Sequence, residues 1–177
     1  MVKVESSFKD NADWKVGNIN YFYDFQYGLG NNIPSDEGKY PVYGSNGIVS
    51  HYSKYNNEES PVIGHVGVPG SLFFAFGKHY VTYNGVLCFP KKESYRYYGY
   101  CMLASKNLQQ RVRGTSQSFL SYDILNGIET IIPTEDFINN FNDLVKPIFN
   151  QINKNQIEIA KLHSLKEILI SKISNKQ

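Results

Sequence analysis

The sequence predicts an α+β chain: a β-rich globular head of mixed or antiparallel strands, followed by a long C-terminal α-helix. Three observations carry this. Glycine, proline and short aromatic or β-branched runs alternate as far as Pro133, and no glycine follows it. Three Asn-Gly pairs, Asn46-Gly47, Asn84-Gly85 and Asn126-Gly127, punctuate those runs, and this dipeptide tolerates the positive φ of a tight hairpin turn. Beyond Pro133 apolar residues recur in steps of four and three, the spacing of a helical seam. The head is therefore expected over 1–133 and the helix over 134–177.

In chain order, strands are expected at Tyr40–Tyr43, Ile48–Tyr52, Val62–Val66, Leu72–Phe76, Tyr80–Tyr83, Val86–Phe89 and Ile128–Ile132. Gly64 to Gly70 carries glycine and proline so densely that it reads as a loop or tight bend. Tyr97–Leu108 reads as a helix. Thr134 is placed to cap the last helix, and Glu135 and Asp136 suit the positive end of its dipole. The seam then runs Phe141, Val145, Ile148, Ile152, Asn155, Ile159, Leu162, Lys166, Leu169 and Ile173, of which eight are apolar. Such a 3.5-residue repeat is that of a coiled coil. The competing reading is a helix folded back on its own head. At 1.5 Å per residue the helix is roughly 60 Å long, which favours the coiled coil. Pro147 removes a backbone donor and is expected to kink or break the rod. Asn155 is the kind of polar seam residue that fixes register and partner number.

Composition narrows the function. A chain of 177 residues, 41% hydrophobic, can bury a core, and its longest apolar run, Leu72–Phe76, is far short of the ~20 residues of a spanning helix. With no secretory signal in its first residues, a cytoplasmic location is expected. Cys88 and Cys101 read as core thiols. The formal charge of +2 hides an uneven distribution. Residues 65–113 hold Lys78, Lys91, Lys92, Arg96, Lys106, Arg111 and Arg113 against Glu93 alone, a net +6 in a stretch rich in Tyr and Phe. A local field of that sign suits a phosphate backbone, although a plain solvated basic face has the same composition.

No catalytic constellation is visible. Gly28-Leu-Gly30 has only half of a dinucleotide fingerprint, and Gly77-Lys78-His79 lacks the upstream Gly and the Ser/Thr of a phosphate loop. His51, His65, His79 and His163 have no metal-ligand spacing. Asp36-Glu37-Gly38-Lys39 lies in a Gly/Pro/Asn loop without the further rigid carboxylates that magnesium chemistry needs. No Asn-Pro-Pro-Tyr or Asp-Pro-Pro-Tyr stands for an amino-methyltransferase. The chain is expected to be non-catalytic, with no metal or cofactor of its own.

From Tyr40-Pro-Val-Tyr-Gly-Ser-Asn-Gly-Ile48 onward the chain resembles the specificity subunits of type I restriction-modification systems. Trp14-Lys15 looks like that family's start. Val62-Ile-Gly-His-Val-Gly-Val-Pro-Gly70-Ser is similar to its Gly-Arg-x-Gly turn, with His65 where Arg is common, and Val81-Thr-Tyr-Asn-Gly-Val86 to the strand after it. Gly114-Thr-Ser-Gln-Ser-Phe-Leu120-Ser-Tyr-Asp-Ile-Leu125, followed by Ile131-Ile-Pro133, is the most specific match. Leu165-Lys-Glu-Ile-Leu169 resembles the conserved spacer helix.

The resemblance implies that the head is a target recognition domain and the helix a spacer. Family members usually carry two of each, packed antiparallel about a pseudo-two-fold axis, so one of each looks like a half-subunit, natural or cut from a longer chain. An unpaired seam then implies a homodimer, because two identical seams close under two-fold symmetry, and two inverted heads imply a split palindromic DNA site. The implied partners are double-stranded DNA, a second copy, DNA methyltransferase subunits and, indirectly, restriction subunits. S-adenosylmethionine, magnesium and ATP would sit only on those subunits. The alternative is a coiled-coil adaptor that binds such subunits without reading DNA. For phosphate contacts the candidates are the seven cations of the 65–113 stretch. For base edges they are Ser45, Asn46, His65, His79 and Gln117, since base readout uses hydroxyl, amide and imidazole groups held in loops. Asn46 could equally be a turn residue and Gly114–Leu120 a scaffold element. Tyr21, Tyr23, Tyr27, Tyr95 and Tyr97 are candidates for stacking or for core packing.

Overall fold

A computed structural model describes residues 13–30, 32–36, 38–114 and 118–174. Two sheets and two helices build the head. Strand β1 (Lys15–Asn18) pairs antiparallel with β8 (Glu129–Ile132), tying the beginning of the described chain to the end of the head. The remaining strands are β2 (Tyr23–Tyr27), β3 (Tyr40–Gly44), β4 (Gly47–Tyr52), β5 (Asn57–Gly64), β6 (Leu72–Val81) and β7 (Gly85–Pro90). They form one sheet in the order β2-β7-β5-β6-β3-β4, antiparallel except for β3 against β6. Just beyond β2, Leu29 bridges Thr82 in parallel, which returns that edge of the sheet to the end of β6.

Of the three Asn-Gly pairs, only Asn46-Gly47 turns a hairpin, β3 into β4, with Gly47 at φ 98°. Asn84-Gly85 joins β6 to β7, but those strands lie on opposite sides of β5. Asn126-Gly127 ends a short helix, α2 (Tyr122–Asn126), whose N-cap Ser121 accepts from the Ile124 amide. The dipeptide specifies a permissive backbone, and the sheet order decides what it connects. The strands expected at Leu72–Phe76 and Tyr80–Tyr83 are one strand. Gly77, at φ 60°, carries the chain through without interruption, opposite a register shift between Glu58 and Ser60 in β5. Such a bulge bends a strand instead of ending it. β5 also begins at Asn57 rather than at Val62, because its polar first half pairs with Ala75, Lys78 and His79. β1, β2 and α2 are absent from the sequence-based expectations: β1 is too short and exposed to show a buried face.

The expected helix over Tyr97–Leu108 is α1 (Tyr95–Ala104), followed at Asn107 by a left-handed residue (φ 41°) and a 3-10 turn at Leu108–Arg111. Its tyrosines are the reason it forms here. Tyr95 and Tyr98 pack edge-on against Phe22, and Tyr97 stacks on Phe74. On the sheet, Tyr43, Val62, Ala75, Val81 and Leu87 form a buried cluster flanked by Phe73 and Phe89. Cys88 is buried, Cys101 half-buried, and both are free thiols.

Helix α3 spans Glu135–Ser174 and continues through Pro147, so the expected break does not occur. The Thr134 hydroxyl accepts from the Phe137 amide at 3.3 Å, and Glu135 and Asp136 occupy the first turn. By compactness the chain divides into 1–139 and 140–177, so the first turn of α3 belongs with the head. Among the described residues no helix is long and apolar enough to cross a membrane.

Candidate nucleic-acid interface

Several loops converge at the end of the sheet where β5 turns into β6. The turn between them, residues 65–71, depends on glycine at both ends. A Cβ on Gly64 would meet the Val68 carbonyl, and Gly70 sits at φ 82° where a Cβ would run into the backbone of Leu108 and Gln109. The β3–β4 turn docks on the same loop. Ser45 Oγ accepts from the Val68 amide at 3.2 Å, and the Ser45 carbonyl accepts from the Ser71 hydroxyl. Isolated bridges from Phe119 to Val66 and to Arg113 bring in the 108–120 segment. The end of β2 contributes Tyr27, whose ring lies 4.3 Å from that of His65 and 4.7 Å from that of Tyr122.

The structure thus gathers Ser45, His65, Arg113 and, through the 3-10 turn against Gly70, the neighbourhood of Arg111. Asn46 is exposed at the tip of its turn, and Arg111 Nε donates to the Lys106 carbonyl at 3.4 Å. Gln117 lies outside the described residues. Sequence reasoning missed Phe119, whose ring lies 6.4 Å from that of His65, and Tyr122, which packs on Tyr27. Their signal is the Gly114–Leu125 motif that contains them.

His79 is a correction. Its side chain has no exposure, its Nδ1 donates to the Gly77 carbonyl at 2.9 Å, and Nε2 lies 3.5 Å from Ser60 Oγ. Burial lowers its pKa to about 4, so it is a neutral core group held beside the bulge, out of reach of a DNA groove. Tyr23, Tyr95 and Tyr97 are likewise packing residues with internal partners. The Tyr23 hydroxyl donates to the Arg96 carbonyl at 2.6 Å, Tyr95 to Glu135 at 2.5 Å and Tyr97 to Glu59 at 2.9 Å. Burial, then the Glu59 carboxylate, pushes the Tyr97 hydroxyl up to about 12.

The basic stretch is less bare than its count suggests. Lys91 lies 3.2 Å from Asp24, Lys92 2.5 Å from Glu135, and Arg96 3.5 Å from Glu59 and 4.0 Å from Glu93. Three of these acids are remote in sequence, which is why a segment-by-segment sum missed them. Arg96 in particular is half-buried between sheet and helix. Lys78 belongs to another patch, its ammonium 4.5 Å from the centre of the Tyr55 ring, with Tyr55 edge-on to Tyr40 and Lys39 over Tyr40. Cations held on exposed aromatic faces keep their charge available to an anion. Among the described residues, no three His, Cys, Asp or Glu side chains come together as a metal site.

On α3 the seam residues Ile148, Ile152, Ile159, Leu162, Leu169 and Ile173 are 41–70% exposed on the single chain. Phe141 and Val145 are half-buried. Asn155, exposed, accepts from Gln151 Nε2 at 2.7 Å one turn earlier. A second stripe, absent from the seam expectation, contains Ile157, Ala160, Ser164, Leu165 and Ile168, which line a shallow groove with Lys161. At 100° per residue, Ile157 and Ile168 fall opposite the seam.

Residues 6–169 match the type I restriction modification DNA specificity domain. Over 79 residues, 44% of this chain and 18% of the relative, the sequence is 30% identical to the MjaIX type I restriction enzyme specificity subunit of Methanocaldococcus jannaschii. The fold is similar to that of the S subunit of a type I restriction-modification system from M. genitalium. That likeness has a TM-score of 0.59 and 15% identity, and covers 84% of this chain and 44% of that one. A chain from a structural study of assembly and conformational transition in the type I system is also similar, with a TM-score of 0.57, 12% identity, and coverage of 81% and 40%. This chain therefore spans less than half the length of the solved subunits it matches. Because the domain match runs from before the first strand to near the end of α3, the chain belongs to the type I restriction-modification DNA specificity family.

Proposed function

We propose that this chain is a non-catalytic DNA-reading subunit that pairs with a second copy through α3, reads a split palindromic site, and positions methyltransferase subunits. The observation that carries the reading is the pairing of one recognition head with one helix whose apolar seam is exposed. Burying six aliphatic side chains from each of two copies is worth roughly 1.5–3 kcal/mol per side chain at best, enough to favour an antiparallel pair over two solvated helices. The second stripe, from Ile157 to Ile168, would remain outside that pair as a surface for a methyltransferase subunit. Restriction subunits would join indirectly. S-adenosylmethionine, magnesium and ATP would be supplied on those partners.

In the head, Ser45, Asn46, His65 and Gln117 are proposed to face base edges, and Lys78, Lys106, Arg111 and Arg113 phosphates. Lys91, Lys92 and Arg96 could turn to phosphate only by giving up Asp24, Glu135 and Glu59. That neutralisation favours a second reading, an adaptor that binds methyltransferase subunits without touching DNA. Binding to duplex DNA over a salt series, with the methyltransferase present, separates the two. A reader with four to six phosphate contacts gives a slope of log K against log salt of roughly −4 to −5. A flat slope without sequence preference would leave the adaptor.

A further inference from the structure

We infer that His65 is a fixed hydrogen-bond acceptor that reads an exocyclic amino group, that of adenine or cytosine, at one position of each half-site. This rests on the DNA-reading function proposed above and assigns one side chain of that site a chemical preference. His65 is held at four points. Its amide donates to the Asn84 carbonyl at 2.8 Å, and its carbonyl accepts from the Leu120 amide at 3.0 Å. Its ring Nδ1 lies 2.8 Å from the Leu120 carbonyl, and its ring packs on Tyr27 with Phe119 beyond, at 4.3 and 6.4 Å between centres.

The Leu120 carbonyl can only accept, so Nδ1 must carry the proton. In the neutral ring Nε2 is then a bare acceptor. Among the described residues the ring makes no other hydrogen bond. The half-buried side chain lines an open cleft of about 520 Å³ with Tyr27, Val66 and Phe119. Val66, Phe119 and the Tyr27 ring offer carbon surface around the imidazole, and its Nε2 and the Tyr27 hydroxyl are the side-chain polar groups of that cleft. In the major groove, amino donors are presented by adenine N6 and cytosine N4, whereas guanine and thymine present acceptors at the corresponding positions. An acceptor locked in orientation therefore selects one pair of bases against the other. An arginine at this position would have donors only, and would make the opposite choice.

The test is selection from a randomised duplex library by the full chain in complex with its methyltransferase, followed by sequencing. Wild type is expected to enrich adenine or cytosine at one position per half-site. His65→Phe, which keeps the ring packing, should lose that preference about tenfold, the effect of one hydrogen bond, and keep the others. His65→Arg should move the preference to guanine. In the selected duplex, replacing that base by an analogue lacking the amino group should weaken wild-type binding about tenfold and leave His65→Phe binding unchanged. Should wild type and both variants select the same base at every position, or should the analogue bind wild type undiminished, the inference is overturned while the DNA-reading function stands. A wild type that selects no motif at all overturns both.

Discussion

The head and the distal half of α3 handle apolar surface in opposite ways. In the head, Ile19, Phe22, Ile63, Leu103, Leu120 and Leu125 are fully buried. From Lys154 to Ser174 every residue is exposed, although the segment contains Ile157, Ile159, Leu162, Leu165, Ile168, Leu169, Ile170 and Ile173. The same residue types thus fill a core in one region and stay in solvent on the single chain in the other. Local helix propensity and capping do little to explain so long a helix, since most helical stability comes from packing an apolar face.

This contrast can be broken most severely on the helix. The double variant Ile152→Glu with Ile159→Glu places four buried carboxylates in a symmetric pair. It is expected to abolish self-association, halving the mass seen by light scattering, with the far-ultraviolet signal of the head retained. An unchanged dimer would put the interface elsewhere. Truncation to alanine gives the next effect and reverses between regions. Leu103→Ala should cost 2–5 kcal/mol of folding stability in urea, roughly the range for buried leucine. Ile159→Ala should leave the unfolding of a dilute monomer within about 0.5 kcal/mol while weakening dimerisation.

The smallest effect sharpens the description of the head. His79 binds its proton near pH 4 when folded and near 6.5 when unfolded. Above pH 6.5 the ring is neutral in both states and contributes no pH dependence. As pH falls from about 6.5 to about 4 the unfolded chain takes up the proton first, so stability is lost, by up to about 3 kcal/mol. His79→Leu should remove that part of the pH dependence of urea midpoints between pH 7 and 4.5. A wild-type curve as flat as that of the variant would place His79 in a more solvated site.

Much of this architecture was legible in the sequence because it depends on local signals. The 3.5-residue spacing along α3, Thr134 ahead of Glu135 and Asp136, the Asn46-Gly47 hairpin and the glycines at 64, 67 and 70 are each written within a few residues. What could not be read depends on long-range pairing. Asp24, Glu59 and Glu135 reach Lys91, Arg96 and Lys92 only after β2, β5 and the root of α3 are assembled. His79 follows an exposed lysine in sequence, and it lies in the core because it shares the inward parity of Ala75 and Val81 along β6, a strand that could be read as continuous only once its pairing with β5 was known. His65 was recognisable as a candidate, but the Leu120 carbonyl that fixes its ring lies 55 residues away. The second stripe on α3 spans only Ile157 to Ile168, about three turns, too short a pattern to stand out beside the longer seam.

The central claim, that two copies of one head read DNA through paired α3 helices, is tested most directly by sequencing methylated sites in cells that carry this chain with its methyltransferase. The account predicts a split site whose two halves are inverted repeats of one another, separated by a fixed spacer, and lost in the Ile152→Glu, Ile159→Glu variant. An asymmetric pair of half-sites, or methylation whose sequence is indifferent to this chain, would contradict it.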